Sequence, residues 1–294
     1  KVRQVIEMTQ EMIDTVIEHY ATAAEHCLRA GMEMIMIHAA HGHLIPQFLS
    51  PLTNKRTDRY GGSLENRARF AIEVLDAIRA RVGNKLAIEW RISANELAPG
   101  GLTEEDTIEF VKMIEDKIDL LHVSAGLLNE SRIIPHMIQP TYFPHCYNVH
   151  RAEILKKALK VPIATVGSIH NMHEAEEIIA TGKADIVAMA RAILVDPEIV
   201  NKASRGQEED IRPCLRCHTC NKLTANFYPI RCAVNPILGR ELTYVPFPKA
   251  EVKKKVVVVG GGPGGMQAAL TASQRGHEVV LFEKKRELGG NLRL

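Results

Sequence analysis

The 294-residue chain has no dominant sign of charge: 37 Lys and Arg stand against 35 Asp and Glu, a formal net charge of +2. A nucleic-acid surface needs a much larger basic excess, so that class of partner is excluded. The basic run Lys253–Lys255 does not restore it, because it leads directly into Val256–Val259 and reads as a solvated strand entry. No apolar run approaches the ~20 residues that span a bilayer, and no secretory signal is present. The expectation is a cytoplasmic protein with no membrane partner. The six cysteines do not form a disulfide framework either. Four of them cluster, which favours a metal in a reducing compartment, while Cys27 and Cys146 are isolated and read as packing residues. Low-complexity segments are absent. The chain opens on Lys-Val-Arg-Gln and stops at Leu294, a few residues into what reads as a new domain, so it is expected to be an internal fragment.

What is present is an alternation of helix and strand from about residue 10 to 210, with 46% hydrophobic residues to build a core. Thr9 reads as a helix cap followed by the stripe Met12, Ile13, Val16, Ile17, Tyr20, Ala24, Cys27 and Leu28, closed by Gly31. Ser63 caps a second helix, with Leu64, Ala71, Val74, Leu75 and Ile78 inward. Thr103-Glu-Glu-Asp106 resembles a capping box. Strands are expected at Met34–His38, Leu86–Ile92, Leu120–Ser124, Ile163–Val166 and Asp185–Met189. Strands alternating with helices at this spacing imply a parallel sheet. Its closed form is a (β/α)8 barrel and its open form a doubly wound sheet. Five strands would leave about three missing from a barrel.

The polar residues favour the barrel. Period two puts Ile88 and Trp90 on one strand face and Glu89 and Arg91 on the other. His38, Gly167-Ser168 and Ala190-Arg191 fall at C-terminal strand ends, where barrels build active sites. The stretch 39–62 is too long for a simple connection and reads as a functional loop. Residues 1–205 are therefore assigned to a partial barrel, 206–250 to a cysteine- and proline-containing connector, and 251–294 to the start of a Rossmann-like dinucleotide-binding domain. In that last part Val256–Val259, a helix over Met266–Arg275 and the strand Glu278–Phe282 begin a βαβ unit.

Three motifs carry chemistry. Cys214-x-x-Cys217-x-x-Cys220, with Cys232 beyond, offers four thiolates at a ferredoxin-like spacing. A four-cysteine zinc site and plain thiols are the alternatives. Gly260-Gly-Gly-Pro-Gly-Gly265 follows a strand and precedes a helix, the context of a dinucleotide fingerprint. Gly260 and Gly262 suit the tight turn, Gly265 suits helix–strand packing, and Glu283 lies where an acidic residue meets a ribose; FAD and NAD(P) are not separated by this motif. His38 and His41, with His43 beside them, can hold a carbonyl oxygen whose charge grows as a hydride arrives. Arg91 suits the pyrimidine edge of a reduced flavin, or else pairs with Glu89 or another carboxylate. The turns at Gly167-Ser168 and Ala190-Arg191 suit an FMN phosphate.

Residues 38–67, from His38-Ala-Ala-His41-Gly-His43 to Tyr60-Gly-Gly-Ser-Leu-Glu-Asn-Arg67, resemble the old yellow enzyme family. With Arg91-Ile-Ser93, Ala190-Arg191, Asp210-Ile-Arg-Pro-Cys214-Leu-Arg-Cys217 and the glycine loop, the chain is similar to the multidomain branch. That branch contains 2,4-dienoyl-CoA reductase, trimethylamine dehydrogenase, clostridial enoate reductases and bile-acid-pathway NADH:flavin oxidoreductases. The resemblance implies FMN, a 4Fe-4S cluster, FAD (or ADP) and NAD(P)H. It places His38 and His41 at the substrate carbonyl or flavin and Arg91 at the flavin N1/O2. Gly167, Ser168, Ala190 and Arg191 fall at the FMN phosphate. The four cysteines fall at the cluster, and Gly260, Gly262, Gly265 and Glu283 at the adenine dinucleotide. It implies an NAD(P)H-dependent enzyme that reduces an activated C=C bond of an unsaturated carbonyl or acyl-CoA, with homo-oligomers allowed. An amine dehydrogenase running in the opposite sense and a non-catalytic electron-transfer subunit are the rivals. Two departures stand out. His43 occupies the position of the family's proton-donating tyrosine, which implies that it donates the proton. Two residues separate Cys217 and Cys220, as in the amine dehydrogenase, where dienoyl-CoA reductases generally have three.

Overall fold

The computed structural model describes residues 6–128 and 130–293, so the opening Lys-Val-Arg-Gln and Leu294 lie outside the described residues. The chain divides into two compact units, one ending at His218 and the other beginning at Thr219.

The first unit starts with α1 (Gln10–Arg29), whose first turn is capped by the Thr9 hydroxyl accepting from Met12 N at 3.3 Å. Ile13 and Ala24 are buried, and Val16, Ile17, Tyr20, Cys27 and Leu28 pack beside them; Met12 of the expected stripe is exposed. β1 (Met34–Ala39) and the short α2 (Leu44–Leu49) follow. Next come α3 (Leu64–Val82), β2 (Ala87–Ser93) and α4 (Glu104–Lys112). The capping box at Thr103 and Asp106 is complete, with both reciprocal bonds present. β3 (Leu120–Ser124), α5 (Ile134–Met137), α6 (Val149–Ala158) and β4 (Ile163–Val166) continue the alternation. α7 (Met172–Ala180), β5 (Ile186–Ala188), α8 (Ala190–Val195) and α9 (Ile199–Ser204) complete it.

The five strands are parallel and run in the order β1-β2-β3-β4-β5 without reversal. A doubly wound sheet reverses its order at a switch point, so this arrangement is the arc of a barrel. The register is continuous: His38 lies opposite Arg91, Arg91 opposite His122, and His122 opposite Ala164. One face of β2 carries Ile88, Trp90 and Ile92, all fully buried, and Trp90 meets Phe110 of α4 with ring centroids 6.1 Å apart. Each such side chain contributes about 2–3 kcal/mol by leaving water. The other face carries Glu89 and Arg91, as period two requires. On that face the outer strands expose Met36 and Ile186, at 43% and 46%.

In the second unit, α10 (Thr219–Ala225) and α11 (Glu241–Tyr244) precede β6 (Lys255–Val259), α12 (Pro263–Gln274) and β7 (Glu278–Phe282). β6 and β7 pair in parallel. The helix begins at Pro263, three residues before the expected Met266. Proline at the first helical position loses no needed N–H and already has the helical φ. One face of this two-stranded sheet leaves Val257, Val259 and Phe282 exposed. No helix among the described residues is long and apolar enough to cross a membrane.

Candidate active site

The histidines sit where β1 ends. His38 is the fifth residue of β1, and its Nδ1 accepts from Ala40 N at 3.3 Å. The proton of the neutral ring is therefore on Nε2, which remains a donor. His41 has φ 62°, a left-handed conformation that non-glycine residues seldom adopt. Neighbouring strand ends over-determine it. His41 N donates to Ser93 Oγ at 3.0 Å, His41 Nε2 shares a 2.8 Å hydrogen bond with Ser124 Oγ, and Leu128 N donates to His41 O at 3.2 Å. Ser93 is fixed in turn by donating to Gly126 O at 2.9 Å. His43 is the exposed N-cap residue of α2, with its ring 4.5 Å from that of His38, and His38 stands 5.3 Å from His41. The structure thus brings all three expected histidines together.

Arg91 lies next to this group in register with His38. The ion pair with Glu89 does not form: Glu89 Oε1 instead accepts from His122 Nδ1 at 2.6 Å. Arg91 Nε and His122 Nε2 are both buried without a hydrogen-bond partner. A donor and an acceptor left open side by side suit an edge that offers both, such as a pyrimidine ring, so the residues present fit a flavin. Burial, and next the Arg91 charge, push the His41 pKa down to about 3 and the His38 pKa down to about 4. Burial and Arg91 lower His122 as well. These imidazoles are neutral hydrogen-bonding groups at neutral pH. His122, Ser93 and Ser124 escape a reading of motifs. The one available signal was a histidine in the buried run Leu120–Ser124, at the period-two position facing Arg91.

The β4 turn is braced from residues 146–148. Gly167 has φ 134°, and a Cβ there would stand 2.8 Å from Asn148 Nδ2. Ser168 also has positive φ, at 57°, and is buried. Tyr147 N donates to Gly167 O at 2.9 Å. Ala190 opens α8, and Arg191 Nη1 donates to Gln139 O at 2.8 Å and to His218 Nε2 at 3.2 Å. Ser168 Oγ accepts from Arg216 Nη1 at 3.0 Å.

The cysteines are divided between the units: Cys214 and Cys217 close the first, Cys220 and Cys232 belong to the second. Cys214 Sγ accepts from Arg216 N at 3.4 Å, and Cys232 Sγ from Val234 N at 3.5 Å. Backbone N–H groups aimed at sulfur stabilise thiolate ligands, so the donor chemistry fits a cluster.

In the second unit, Gly265 must be glycine: a Cβ there would lie 1.9 Å from Gly260 O. Gly260 has φ 102°, whereas Gly262, the N-cap of α12, faces open space. Glu283 follows β7, and its Oε2 accepts from Gly261 N at 2.7 Å. Its carboxylate is held below the usual range by backbone N–H groups, first that of Lys285 and then that of Gly261.

A parallel barrel arc with a polar histidine–arginine row at its strand ends defines a flavin-type α/β oxidoreductase fold. Comparison with known proteins is concordant. The profile of the NADH:flavin oxidoreductase / NADH oxidase family matches residues 2–210, and that of FAD dependent oxidoreductases matches residues 255–293. The chain belongs to the NADH:flavin oxidoreductase / NADH oxidase family, in the multidomain branch of the old yellow enzymes. It is 44% identical over 292 residues to an NADH oxidase of Thermoanaerobacter brockii, covering 98% of this chain and 44% of that protein. A solved 2-naphthoyl-CoA reductase in complex with 2-naphthoyl-CoA superposes with TM-score 0.90 at 37% identity, over 97% of this chain and 44% of the other. Histamine dehydrogenase from Rhizobium sp. 4-9 gives 0.89 at 29%, over 99% and 42%. The chain therefore spans less than half the length of these relatives.

Proposed function

We propose that this chain is part of an NAD(P)H-dependent, cytoplasmic flavin and iron–sulfur enzyme that reduces an activated C=C bond conjugated to a carbonyl or thioester. The observation that carries this reading is the row of neutral histidines beside the half-buried Arg91, whose Nε is buried without a partner. FMN, when bound, would supply the hydride, drawing electrons that the cluster passes singly from a second dinucleotide site. Arg91 and His122 would hold the pyrimidine edge. Gly167, Ser168, Ala190 and Arg191 would hold the phosphate, Cys214, Cys217, Cys220 and Cys232 the cluster, and Gly260, Gly262, Gly265 and Glu283 the adenine dinucleotide.

His38 and His41 would donate N–H groups to the carbonyl oxygen, where negative charge grows as the β-carbon is attacked. A neutral imidazole is suited to that task because it stabilises charge without giving up its proton. The proton for the α-carbon would come from His43, exposed at the start of α2. The rival reading, an amine dehydrogenase, draws support from the Cys217–Cys220 spacing and from the likeness to histamine dehydrogenase.

Anaerobically purified full-length protein should contain iron and labile sulfide. Its reduced flavin should be reoxidised by an enoate, an enone or an enoyl thioester. Stoichiometric zinc without sulfide would remove the cluster. A flavin reduced by amines and untouched by alkenes would decide for the dehydrogenase.

A further inference from the structure

Arg216 stands between two of the cysteines, in the sequence Cys214-Leu-Arg-Cys217, yet it does not face solvent. It is only 8% exposed and has φ 53°, a left-handed conformation that turns its side chain away from a regular path. Its guanidinium enters the C-terminal end of the barrel arc. There Nη1 donates to Phe143 O at 2.7 Å and to Ser168 Oγ at 3.0 Å, and Nη2 donates to Thr141 O at 2.9 Å. All of its partners are neutral oxygens. No carboxylate pairs with this group among the described residues, whereas Arg151, buried to the same 8% exposure, pairs with Glu104 at 3.1 Å. A buried cation without a counter-charge is costly and is retained where an anion completes it. Three hydrogen bonds also leave part of the five-donor fork unused.

The side chain reaches the turn whose geometry already suits an anion. Gly167 and Ser168 both have positive φ, and successive residues of that kind turn backbone N–H groups toward a common concavity. The neighbouring residue His218 makes a parallel contact, accepting from Arg191 at the start of α8. The cysteine segment therefore touches both of the turns that the phosphate reading uses.

We infer that Arg216 is a phosphate-binding residue of the flavin site, delivered by the cysteine segment rather than by a barrel strand. The inference rests on the proposed FMN reading and deepens it. The guanidinium would neutralise the phosphate at the Ser168 turn. One residue would then tie the order of the Cys214–Cys217 loop to occupancy of the flavin site.

FMN and riboflavin differ only in the phosphate, so their affinities for the full-length protein isolate this group. The intact wild-type protein, stripped of flavin, should bind FMN far more tightly than riboflavin in a fluorescence titration. Arg216→Gln keeps a long side chain able to donate to Phe143 O. It should weaken FMN about 10- to 100-fold, the effect of losing a charge-assisted hydrogen bond, with riboflavin affinity unchanged within about threefold. Arg216→Lys should lie between the two, because it keeps the charge and loses the fork. A merely structural role would weaken both flavins equally and leave their ratio unmoved. That result, or unchanged FMN affinity in Arg216→Gln, would overturn the inference. If Arg216→Gln does not fold, the same ratio in Arg216→Lys decides: an FMN preference equal to wild type overturns it. A wild-type protein that binds neither flavin would overturn the FMN reading, and the inference with it.

Discussion

The turn after β4 and the turn after β6 are candidate phosphate sites on parallel strand ends, and they are built in opposite ways. At β4 the turn is surrounded by side chains: Asn148 fills the space beside Gly167, and Arg216 bonds Ser168. At β6 the backbone does the work. Gly260 and Gly265 let strand and helix approach, and the α12 N-terminus supplies oriented N–H groups. The contrast extends to the whole of each unit. The first buries His41, His122, Arg151 and Arg216, whereas the second has no buried histidine or arginine among its described residues. Function in the first unit should thus be separable from folding, because a side chain can be trimmed while the sheet remains. In the second the two should fail together, because the same backbone atoms form the fold and the site.

The largest effect tests the second half of that statement. Gly265→Ala forces a Cβ against Gly260 O at 1.9 Å, with backbone rather than a yielding side chain on the other side. It should cost on the order of 4 kcal/mol or more and abolish adenine-dinucleotide binding. Gly262→Ala, where the added Cβ meets nothing within 4 Å, should leave folding nearly intact. Calorimetry and dinucleotide titration on both variants would read this, and a stable, non-binding Gly265→Ala would break the comparison.

His43→Phe tests the first half. Its ring is exposed and its side chain makes no capping bond to α2, so stability should change little. Loss of a general acid typically costs about 10² to 10⁴ in rate. Stopped-flow traces should therefore show slowed reoxidation by the alkene and unaltered flavin reduction by NAD(P)H. Equal rates in both half-reactions would reduce His43 to a loop residue.

The smallest effect is on acid stability. His41 and His38 are held near 3 and 4, chiefly by burial, so the folded protein binds fewer protons than the unfolded chain, whose histidines titrate at about 6.5. The stability they contribute is complete above about pH 6.5 and is lost as pH falls toward 4 and then 3. Urea midpoints measured from pH 7 to 4.5 should fall for the wild type and fall less steeply for His41→Asn. Identical slopes would show that His41 is protonated in the folded state, contrary to its buried setting.

The alternation of elements was readable along the chain because apolar period and caps are local properties. All five barrel strands lie within one or two residues of expectation, and the Thr9, Ser63 and Thr103 caps form as their side chains suggest. α12 starts three residues before the expected Met266 because Pro263, although it lies within the glycine motif, is a favourable first helical residue. The alternative ion pair of Arg91 with Glu89 does not form, for a different reason. Both residues point to one face of β2, and sequence shows that; it does not show that His122 on β3 stands where it can take Glu89. Arg216 was equally hidden, since an arginine between cysteines looks like any exposed loop residue.

Residue types and spacings along the chain were enough to show a parallel α/β sheet, a cluster of four cysteines, a glycine-rich turn between strand and helix and the histidine group after β1. Each of these rests on contacts within a few residues, or on a period that the backbone itself imposes. Strand order, the His38–Arg91–His122 row, the depressed histidine pKa values and the buried reach of Arg216 were decided only by folding. They depend on which strand lies beside which and on how much water is excluded between them. Parallel pairing brings together residues about 30 to 50 positions apart, such as His38 and Arg91, and no local pattern encodes that meeting.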